Sequence, residues 1–148
     1  MQAPAFNPAT EYAFTITATI DAAMVMGETA LGVRRAIPIT GGTVDGKNIK
    51  GKIIPGGADW QRVRSDGVTE LEAAYAIQLN DDTLVQVLNR GIVVPPENGR
   101  GAPYFRTAIS FQAPIGAYDW LNKSIFLCRA GLHPSMANTV MIEVYRLT

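Results

Sequence analysis

The sequence has very few of the residues from which common catalytic and metal sites are built. Its 148 residues include one cysteine, Cys128, and one histidine, His133. A single cysteine excludes an intrachain disulfide, and a single histidine excludes a metal site with several histidine ligands. The nucleophile elbow, the P-loop and the dinucleotide-binding glycine motif are all missing from the sequence. We therefore expect a protein that uses neither a metal ion nor a cofactor.

Net charge and long hydrophobic runs are also lacking. Thirteen basic and thirteen acidic residues give a formal net charge of zero, so the chain has no overall positive field that would attract nucleic acid. No stretch reaches the roughly 20 apolar residues of a membrane-spanning helix. The first residues lack the basic and apolar regions of a signal peptide. We expect a cytoplasmic protein that binds neither nucleic acid nor a membrane.

Polar and apolar residues alternate along most of the chain. In Glu11–Ile20, every second residue from Tyr12 onward is apolar, and threonines fill most of the positions between them. This pattern is typical of a half-buried β-strand. One helical turn is expected over residues 117–123. The other candidate strands cover residues 33–39, 49–54, 59–64, 69–79, 84–94, 104–111, 124–130 and 139–147.

Turn signals separate these candidate strands. Asp45-Gly46 and Ser65-Asp66-Gly67 are hairpin-type turns, and we expect Gly41-Gly42 and Pro55-Gly56-Gly57 to end strands. Many short strands with short connections indicate a barrel or a sandwich, and a meander of hairpins closes most simply as a barrel. The sequence therefore predicts a single all-β domain over residues 1–148, an antiparallel barrel of about 8–10 strands.

Five phrases in the sequence occur together in a known family. On these phrases, the chain resembles the family called domain of unknown function 3237, or UPF0311, from about Tyr12 to Tyr145. The resemblance implies a compact β-barrel and implies no activity, because most members are uncharacterised. The chain departs from the family pattern at Ala74, where an arginine is expected. The phrases are GVRRAIPITGG (32–42), GKIIPGGADWQRVRSDG (51–67), NRG (89–91), YFRT (104–107) and DWLN (119–122).

Asp59 and Glu72 are the candidate catalytic residues. Asp59 follows two glycines, which allow a close backbone approach or a positive φ. Its carboxylate either caps that turn or acts as a general acid or base with a pKa set by burial or by an arginine. Glu72 lies in the polar phase of its strand, where it is either exposed or paired with Arg106 or Arg35. The sequence leaves these alternatives open.

Six further residues are candidate substrate contacts. Arg35 is in phase with the apolar residues of its strand, so it either forms an internal ion pair or binds a ligand. Tyr104 and Arg106 share the polar face of their strand, and the sequence does not decide whether that face lines a cavity or meets solvent. Three others offer a ring or an amide to a ligand, with ordinary packing as the alternative role: Trp60, Trp120 and Asn122.

A barrel that can hold one ligand, lined by a carboxylate, arginines and aromatic rings, predicts a cofactor-independent lyase or isomerase. Its substrate would be a small aromatic or carbonyl compound. A noncatalytic ligand-binding barrel is the first alternative. The second is a structural module whose apolar outer phase forms an oligomer. We also expect a homo-oligomer.

Overall fold

The structure, a computed structural model, describes residues 2–148, and this range forms nine β-strands. Short 3₁₀ turns at Glu97–Gly99 and Asp119–Asn122 interrupt the connections between strands. No helix among the described residues is long and apolar enough to cross a membrane. The strands are β1 (Thr10–Ile20), β2 (Met24–Thr29), β3 (Gly32–Gly46), β4 (Lys50–Val63), β5 (Thr69–Leu79), β6 (Leu84–Val94), β7 (Tyr104–Gln112), β8 (Phe126–Leu132) and β9 (Thr139–Leu147).

Eight of these strands close into an antiparallel barrel. From β3 to β9, each strand pairs with the next one along the chain, and β1 lies between β9 and β3 and completes the ring. The remaining strand, β2, pairs with the first part of β3 and extends the sheet outside the ring. A closed ring leaves no free edges among its members. The predicted all-β antiparallel barrel is confirmed.

Strands β3 and β4 continue through two glycine-rich sites where the sequence predicted strand ends. At Gly42, φ is 138° and a side chain would collide with the backbone of β1, while the register with β4 shifts. In β4, residues 55–57 stand opposite the single residue Tyr75 of β5. Both sites are bulges, which bend a strand without ending it. The predicted breaks at Gly41-Gly42 and at Pro55-Gly56-Gly57 are therefore wrong.

Strand β2 is the element that the sequence did not reveal. Its apolar residues Met24, Val25 and Met26 are consecutive, so the period-two signal of a strand is missing. The register with β3 shifts between Val25 and Gly27, which marks a further bulge. All three apolar side chains are exposed. Pairing with β3, rather than burial of one face, therefore holds this strand in place.

Aromatic side chains close one end of the barrel. The rings of Phe14, Phe111 and Phe126 lie with their centroids 5.5 to 6.5 Å apart. The 3₁₀ turn packs Trp120 against Phe14 and Phe126 and buries Leu121 beneath them. Burying each large apolar side chain contributes about 1.5–3 kcal/mol. The predicted helical turn over residues 117–123 is confirmed as this plug.

The opposite end of the barrel, which we call the mouth, carries four of the connections between strands. These are the β2–β3, β4–β5, β6–β7 and β8–β9 connections, and the first residues of β3 and the last residues of β4 lie beside them. Because the strands are antiparallel, residues later in β4 and earlier in β5 lie nearer the mouth. The polar side chains that form the candidate site described below lie on the inner face between the aromatic plug and the mouth.

Candidate functional site

Asp59 and Gln61 of β4 point into the barrel. Paired residues of antiparallel strands share a face, and these two pair with the buried Ala73 and Leu71 of β5. Arg35 of β3 pairs with Gln61 and lies on the same face. Period-two alternation therefore places a carboxyl, an amide and a guanidinium together near the mouth.

Two polar residues of β6 and β7 lie at the same heights along the barrel axis as Asp59 and Gln61. Asn89 of β6 pairs with Ala73, and Thr107 of β7 pairs with Gly91, which itself pairs with Leu71. Asn89 and Thr107 are both buried. Strands β3, β4, β6 and β7 thus turn a band of polar side chains inward, in a barrel whose other interior positions are mostly apolar.

Three polar side chains of this inner face, those of Arg35, Gln61 and Asp59, form a chain of hydrogen bonds. Nε of Arg35 donates to Oε1 of Gln61 over 2.7 Å, and Nε2 of Gln61 donates to Oδ2 of Asp59 over 2.8 Å. The amide of Gln61 therefore stands between the guanidinium and the carboxyl. Gln61 is only 6% exposed, whereas Arg35 and Asp59 are half-buried. Both charged residues therefore keep partial contact with solvent.

Tyr75 lies one level deeper, towards the aromatic plug. It belongs to the buried core, and Gly57 leaves room for it, because a Cβ at position 57 would lie 2.5 Å from Cβ of Tyr75. Burial raises the pKa of the Tyr75 phenol, and charges at Cys128 on β8 and Asp59 on β4 would raise it further. Its hydroxyl therefore lies close enough to both Cys128 and Asp59 to be influenced by their charges.

Four buried side-chain atoms in this region have no nitrogen or oxygen hydrogen-bond partner among residues 2–148, and we call them the open polar atoms. One of them, Oγ1 of Thr107, lies close enough to the facing Cys128 thiol to lower the pKa of that thiol. The four atoms belong to four consecutive strands, β4 to β7. A buried polar group that lacks a partner costs about 1–3 kcal/mol, so native structures keep few of them. A bound molecule is one way to satisfy such a group. The open polar atoms are Oδ1 of Asp59, the hydroxyl of Tyr75, Oδ1 of Asn89 and Oγ1 of Thr107.

Burial raises the pKa of the Asp59 carboxyl above its usual value, and this effect outweighs the hydrogen bond from Gln61 and the charge of Arg35, which both lower the pKa. Desolvation disfavours the charged form of any carboxyl. A carboxyl with a raised pKa is a better proton acceptor once ionised and holds its proton to a higher pH. Asp59 therefore has the electrostatic setting of an acid–base group.

Glu72 and Trp60 lie on the outer face of the barrel. They are paired with each other in the β4–β5 register, on the opposite side of the wall from Asp59. The Glu72 carboxylate accepts a hydrogen bond from Nε of Arg90 over 3.1 Å, and the guanidinium of Arg34 lies over the Trp60 ring, 5.4 Å from its centroid. Of the two alternatives that the sequence leaves open for Glu72, the structure has the exposed one and not the pairing with Arg106 or Arg35, and neither Glu72 nor Trp60 reaches the interior.

Tyr104 and Arg106 are also on the outer face. Both side chains are exposed, and the Arg106 guanidinium lies 4.9 Å from the centroid of the Tyr104 ring. The apolar phase of β7 faces inward instead, with Ile109 and Phe111 buried. The sequence left the direction of this strand open, and the core takes the apolar side because the interior below the mouth is filled by hydrocarbon.

Trp120 and Asn122 lie at the plugged end, far along the strands from Asp59. Trp120 packs against Phe14 and Phe126. The Asn122 side chain accepts a hydrogen bond from the Ala113 amide over 2.9 Å and donates one to its carbonyl over 2.8 Å. These contacts close the barrel, so the structure does not bring these two residues together with Asp59 and Arg35.

Sequence reasoning missed Gln61, Asn89 and Thr107 as members of the site. A signal was present, because Gln61 is two residues from Asp59 and Asn89 interrupts the apolar phase that begins with Val85 and Val87. A polar residue within an apolar phase marks a buried polar group. As for metals, the described part of the chain contains no group of three or more histidine, cysteine, aspartate or glutamate residues placed to hold an ion.

The fold and the inner polar band define a small antiparallel β-barrel with a polar interior near one end. The chain belongs to the family described as protein of unknown function DUF3237, whose model matches residues 8–147. It is 42% identical over 149 residues to a UPF0311 protein of Bradyrhizobium diazoefficiens, a match that covers 93% of this chain and 95% of that one.

Solved structures share the fold over nearly the whole chain. A protein of unknown function from Rhodopseudomonas palustris is similar with a TM-score of 0.87, 39% identity and coverage of 96% of this chain and 99% of that one. A β-barrel-like protein from Acinetobacter baumannii gives 0.86, 28% identity and coverage of 99% and 100%. A protein from Penicillium herquei described as an enzyme gives 0.77 with 21% identity and full coverage of both chains. At that identity the last likeness shows the fold alone.

Proposed function

We propose that the mouth of the barrel binds a small aromatic or carbonyl compound and that Asp59 transfers a proton to or from it, in a cofactor-independent lyase or isomerase reaction. The observation that carries this proposal is the set of four open polar atoms on adjacent strands. Buried polar groups are satisfied in folded proteins by ordered water or by a bound molecule, and we infer a ligand here because the four atoms lie on adjacent strands around one desolvated carboxyl.

The chemistry proposed is removal of a proton from the carbon next to a carbonyl. Oδ1 of Asp59 takes the proton, and the electron pair of the C–H bond moves to the carbonyl oxygen to form an enolate. The Tyr75 hydroxyl donates a hydrogen bond to that oxygen, which stabilises the charge that develops there. An isomerase returns the proton at another carbon, and a lyase expels a leaving group from the neighbouring carbon.

Arg35 is proposed to bind an anionic group of the substrate at the mouth. Its guanidinium is half-buried, and the hydrogen bond to Gln61 uses Nε, which leaves the two terminal nitrogens for an anionic group. A guanidinium binds carboxylates and phenolates well, because its parallel N–H groups match two oxygen atoms. Since the open polar atoms are buried, a ligand that reaches them displaces side chains at the mouth.

The relatives add limited support to this proposal. The protein from Penicillium herquei is described as an enzyme, so a barrel of this fold can carry catalysis. Which reaction this chain carries is argued from its own residues. Glu72, Tyr104 and Arg106 have no part in the proposed site, because they lie on the outer face.

The test is hydrogen–deuterium exchange at the ligand carbon. Small keto acids and aromatic ketones are incubated with the protein in D₂O, and loss of the α-proton signal is followed by NMR. We expect exchange to fall about 100-fold or more in Asp59→Asn and to stay within about 2-fold in Glu72→Gln, the matched outer-face control.

Three outcomes would contradict the proposal. Binding at the mouth without proton exchange by any compound would identify a noncatalytic ligand-binding barrel. If no compound shifts the amide NMR signals of residues around Asp59 and Arg35, the barrel is a structural module. Exchange that survives in Asp59→Asn would exclude Asp59 as the proton-transfer group.

A further inference from the structure

Gln61 is the most completely bonded polar side chain of the inner band. Its carbonyl accepts from Arg35 over 2.7 Å, and its amide nitrogen donates to Asp59 over 2.8 Å. A guanidinium can only donate, and an ionised carboxylate can only accept. These two partners therefore fix the orientation of the amide, which cannot flip without turning its NH₂ group towards Arg35 and its oxygen towards Asp59.

The position of Gln61 separates two opposite charges. Arg35 is directly paired with Gln61 across β3 and β4, and Asp59 is two residues from Gln61 on the same face of β4. A residue with a short side chain at position 61 would leave space for the guanidinium to approach the carboxyl. A direct ion pair would hold that carboxyl ionised and lower its basicity.

Gln61 also distinguishes the two oxygens of Asp59. Oδ2 accepts the hydrogen bond from the amide, whereas Oδ1 is one of the open polar atoms. The hydrogen bond holds the carboxyl in one rotamer, with Oδ1 available to a ligand. The titratable groups that face Asp59 are Arg35 from β3 and Tyr75 from β5, with Cys128 of β8 beyond the phenol.

We propose that Gln61 is the positioning residue of the site: it keeps Arg35 from pairing directly with Asp59 and turns Oδ1 of Asp59 towards the bound molecule. This inference rests on the proposed function for its purpose, since a positioned oxygen matters only if a ligand meets it. Its physical content, a separation of two charges and a fixed carboxyl rotamer, can be measured without any ligand.

The experiment is an NMR titration of the aspartate side-chain carboxyl carbons in the ¹³C-labelled protein, with the Asp59 signal identified by its loss in Asp59→Asn. Three substitutions change the amide in different ways. Gln61→Met keeps the length and removes the hydrogen bond to Oδ2, so the midpoint of Asp59 rises. Gln61→Glu adds a like charge, so the midpoint rises further, by about one pH unit or more.

Gln61→Ser is the decisive variant, because it opens the path between the charges. We expect the Asp59 midpoint to fall by about one pH unit as Arg35 moves into contact. The fall disappears in the double variant Gln61→Ser with Arg35→Gln, which has no guanidinium to move. A crystal structure of Gln61→Ser should show a guanidinium nitrogen of residue 35 within salt-bridge distance of the Asp59 carboxyl.

The proposal is overturned if the Asp59 midpoint is the same in all three folded variants, since a residue that only fills space would not move it. It is also overturned if the midpoint rises in Gln61→Ser as it does in Gln61→Met, because Arg35 would then not be held back by the amide. If one variant does not fold, the other two still test the proposal. Gln61→Ser should shift the Asp59 midpoint in the opposite direction to Gln61→Met and Gln61→Glu, and the last two should differ in the size of the rise. Failure of every ligand to bind would contradict the proposed function and leave the titration result standing.

Discussion

Asp59 and Glu72 lie on adjacent strands and on opposite faces of the barrel wall, and the residue paired with Asp59 is the one that follows Glu72. Asp59 pairs with Ala73 and points inward, whereas Glu72 pairs with Trp60 and points outward. The two carboxylates are neighbours in the sheet, yet one is desolvated beside Arg35 and the other shares a solvated pair with Arg90. Their different surroundings make them a matched pair for experiments.

The first prediction concerns stability and pH. Burial raises the folded-state pKa of Asp59 above the ordinary value of 3.8. The folded state therefore holds the proton more tightly than the unfolded state, and the stability that Asp59 contributes is complete below the unfolded pKa and is lost as pH rises through the folded pKa. Asp59→Asn removes this loss. Relative to the wild type, the free energy of unfolding of the variant should increase as pH rises above about 4, and the difference should level off above the folded-state pKa of Asp59.

Urea unfolding at a series of pH values measures this effect, with Glu72→Gln as the control. The Glu72–Arg90 pair is exposed, with side-chain accessibilities of 51% and 63%, so its loss should change stability by no more than about 0.5 kcal/mol. A constant difference between Asp59→Asn and the wild type across this pH range would show that Asp59 is not desolvated in the folded protein.

The second prediction concerns the close approach of β6 and β7. A Cβ at Gly91 would lie 2.5 Å from Cγ2 of Thr107 and would collide with the carbonyl of Arg106. Gly91→Ala should therefore destabilise the barrel by about 1–3 kcal/mol, measured by chemical denaturation. Apart from its chain neighbours, no atom of residues 2–148 lies within 4 Å of a Cβ at Gly131. Gly131→Ala should stay within about 0.5 kcal/mol of the wild type, and equal losses in the two variants would contradict the steric argument.

The third prediction concerns the buried phenol. Tyr75→Phe removes one open polar atom and keeps the ring, so the cost of burying an unpaired hydroxyl disappears. We expect the variant to be as stable as the wild type or more stable by about 1 kcal/mol, in thermal or urea unfolding. A loss of more than about 1 kcal/mol would mean that the hydroxyl has a structural partner. Gain of stability with loss of ligand binding would place Tyr75 in the site.

The fourth prediction concerns the single thiol. Burial raises the pKa of Cys128 to about 11, and the thiolate is the reactive form. Alkylation of the native protein by iodoacetamide at neutral pH should therefore be very slow, and unfolding in urea should restore the rate of a free cysteine. Mass spectrometry counts the modified molecules. Rapid alkylation of the folded protein would show that the mouth exposes Cys128 on the timescale of the assay.

The fold could be predicted from the sequence because a closed barrel has one simple rule, an apolar residue at every second position. Glu11–Ile20 follows that rule, and its inner residues Phe14 and Ile16 are fully buried. The rule fails where the chain bends or leaves the ring. The sequence predicts a strand end at Gly42 because glycine occurs in turns and in bulges alike, and it gives no signal for Met24–Thr29 because a strand outside the ring needs no alternation.

The site was harder to predict, because the direction of a polar strand face depends on which partner strands complete the ring. Arg35 and Asp59 share an inner face, while Arg106, equally polar in its surroundings, faces outward. The alternation of side chains shows which residues of one strand share a face, but it does not show which face points into the barrel. The inward position of Gln61 follows from pairing with Arg35 and Leu71 across two hairpins, and single-strand patterns contain no such information.

The aromatic plug of Phe14, Phe111, Phe126 and Trp120 determines where a ligand could enter and leave the barrel. The packed rings and the core beside them fill that end of the barrel, so a substrate bound as proposed would enter and leave by the mouth. A second reactant would have to pass the first one there. Reactions of one compound, in which atoms are rearranged or a fragment is lost, suit such a dead end better than reactions that join two compounds.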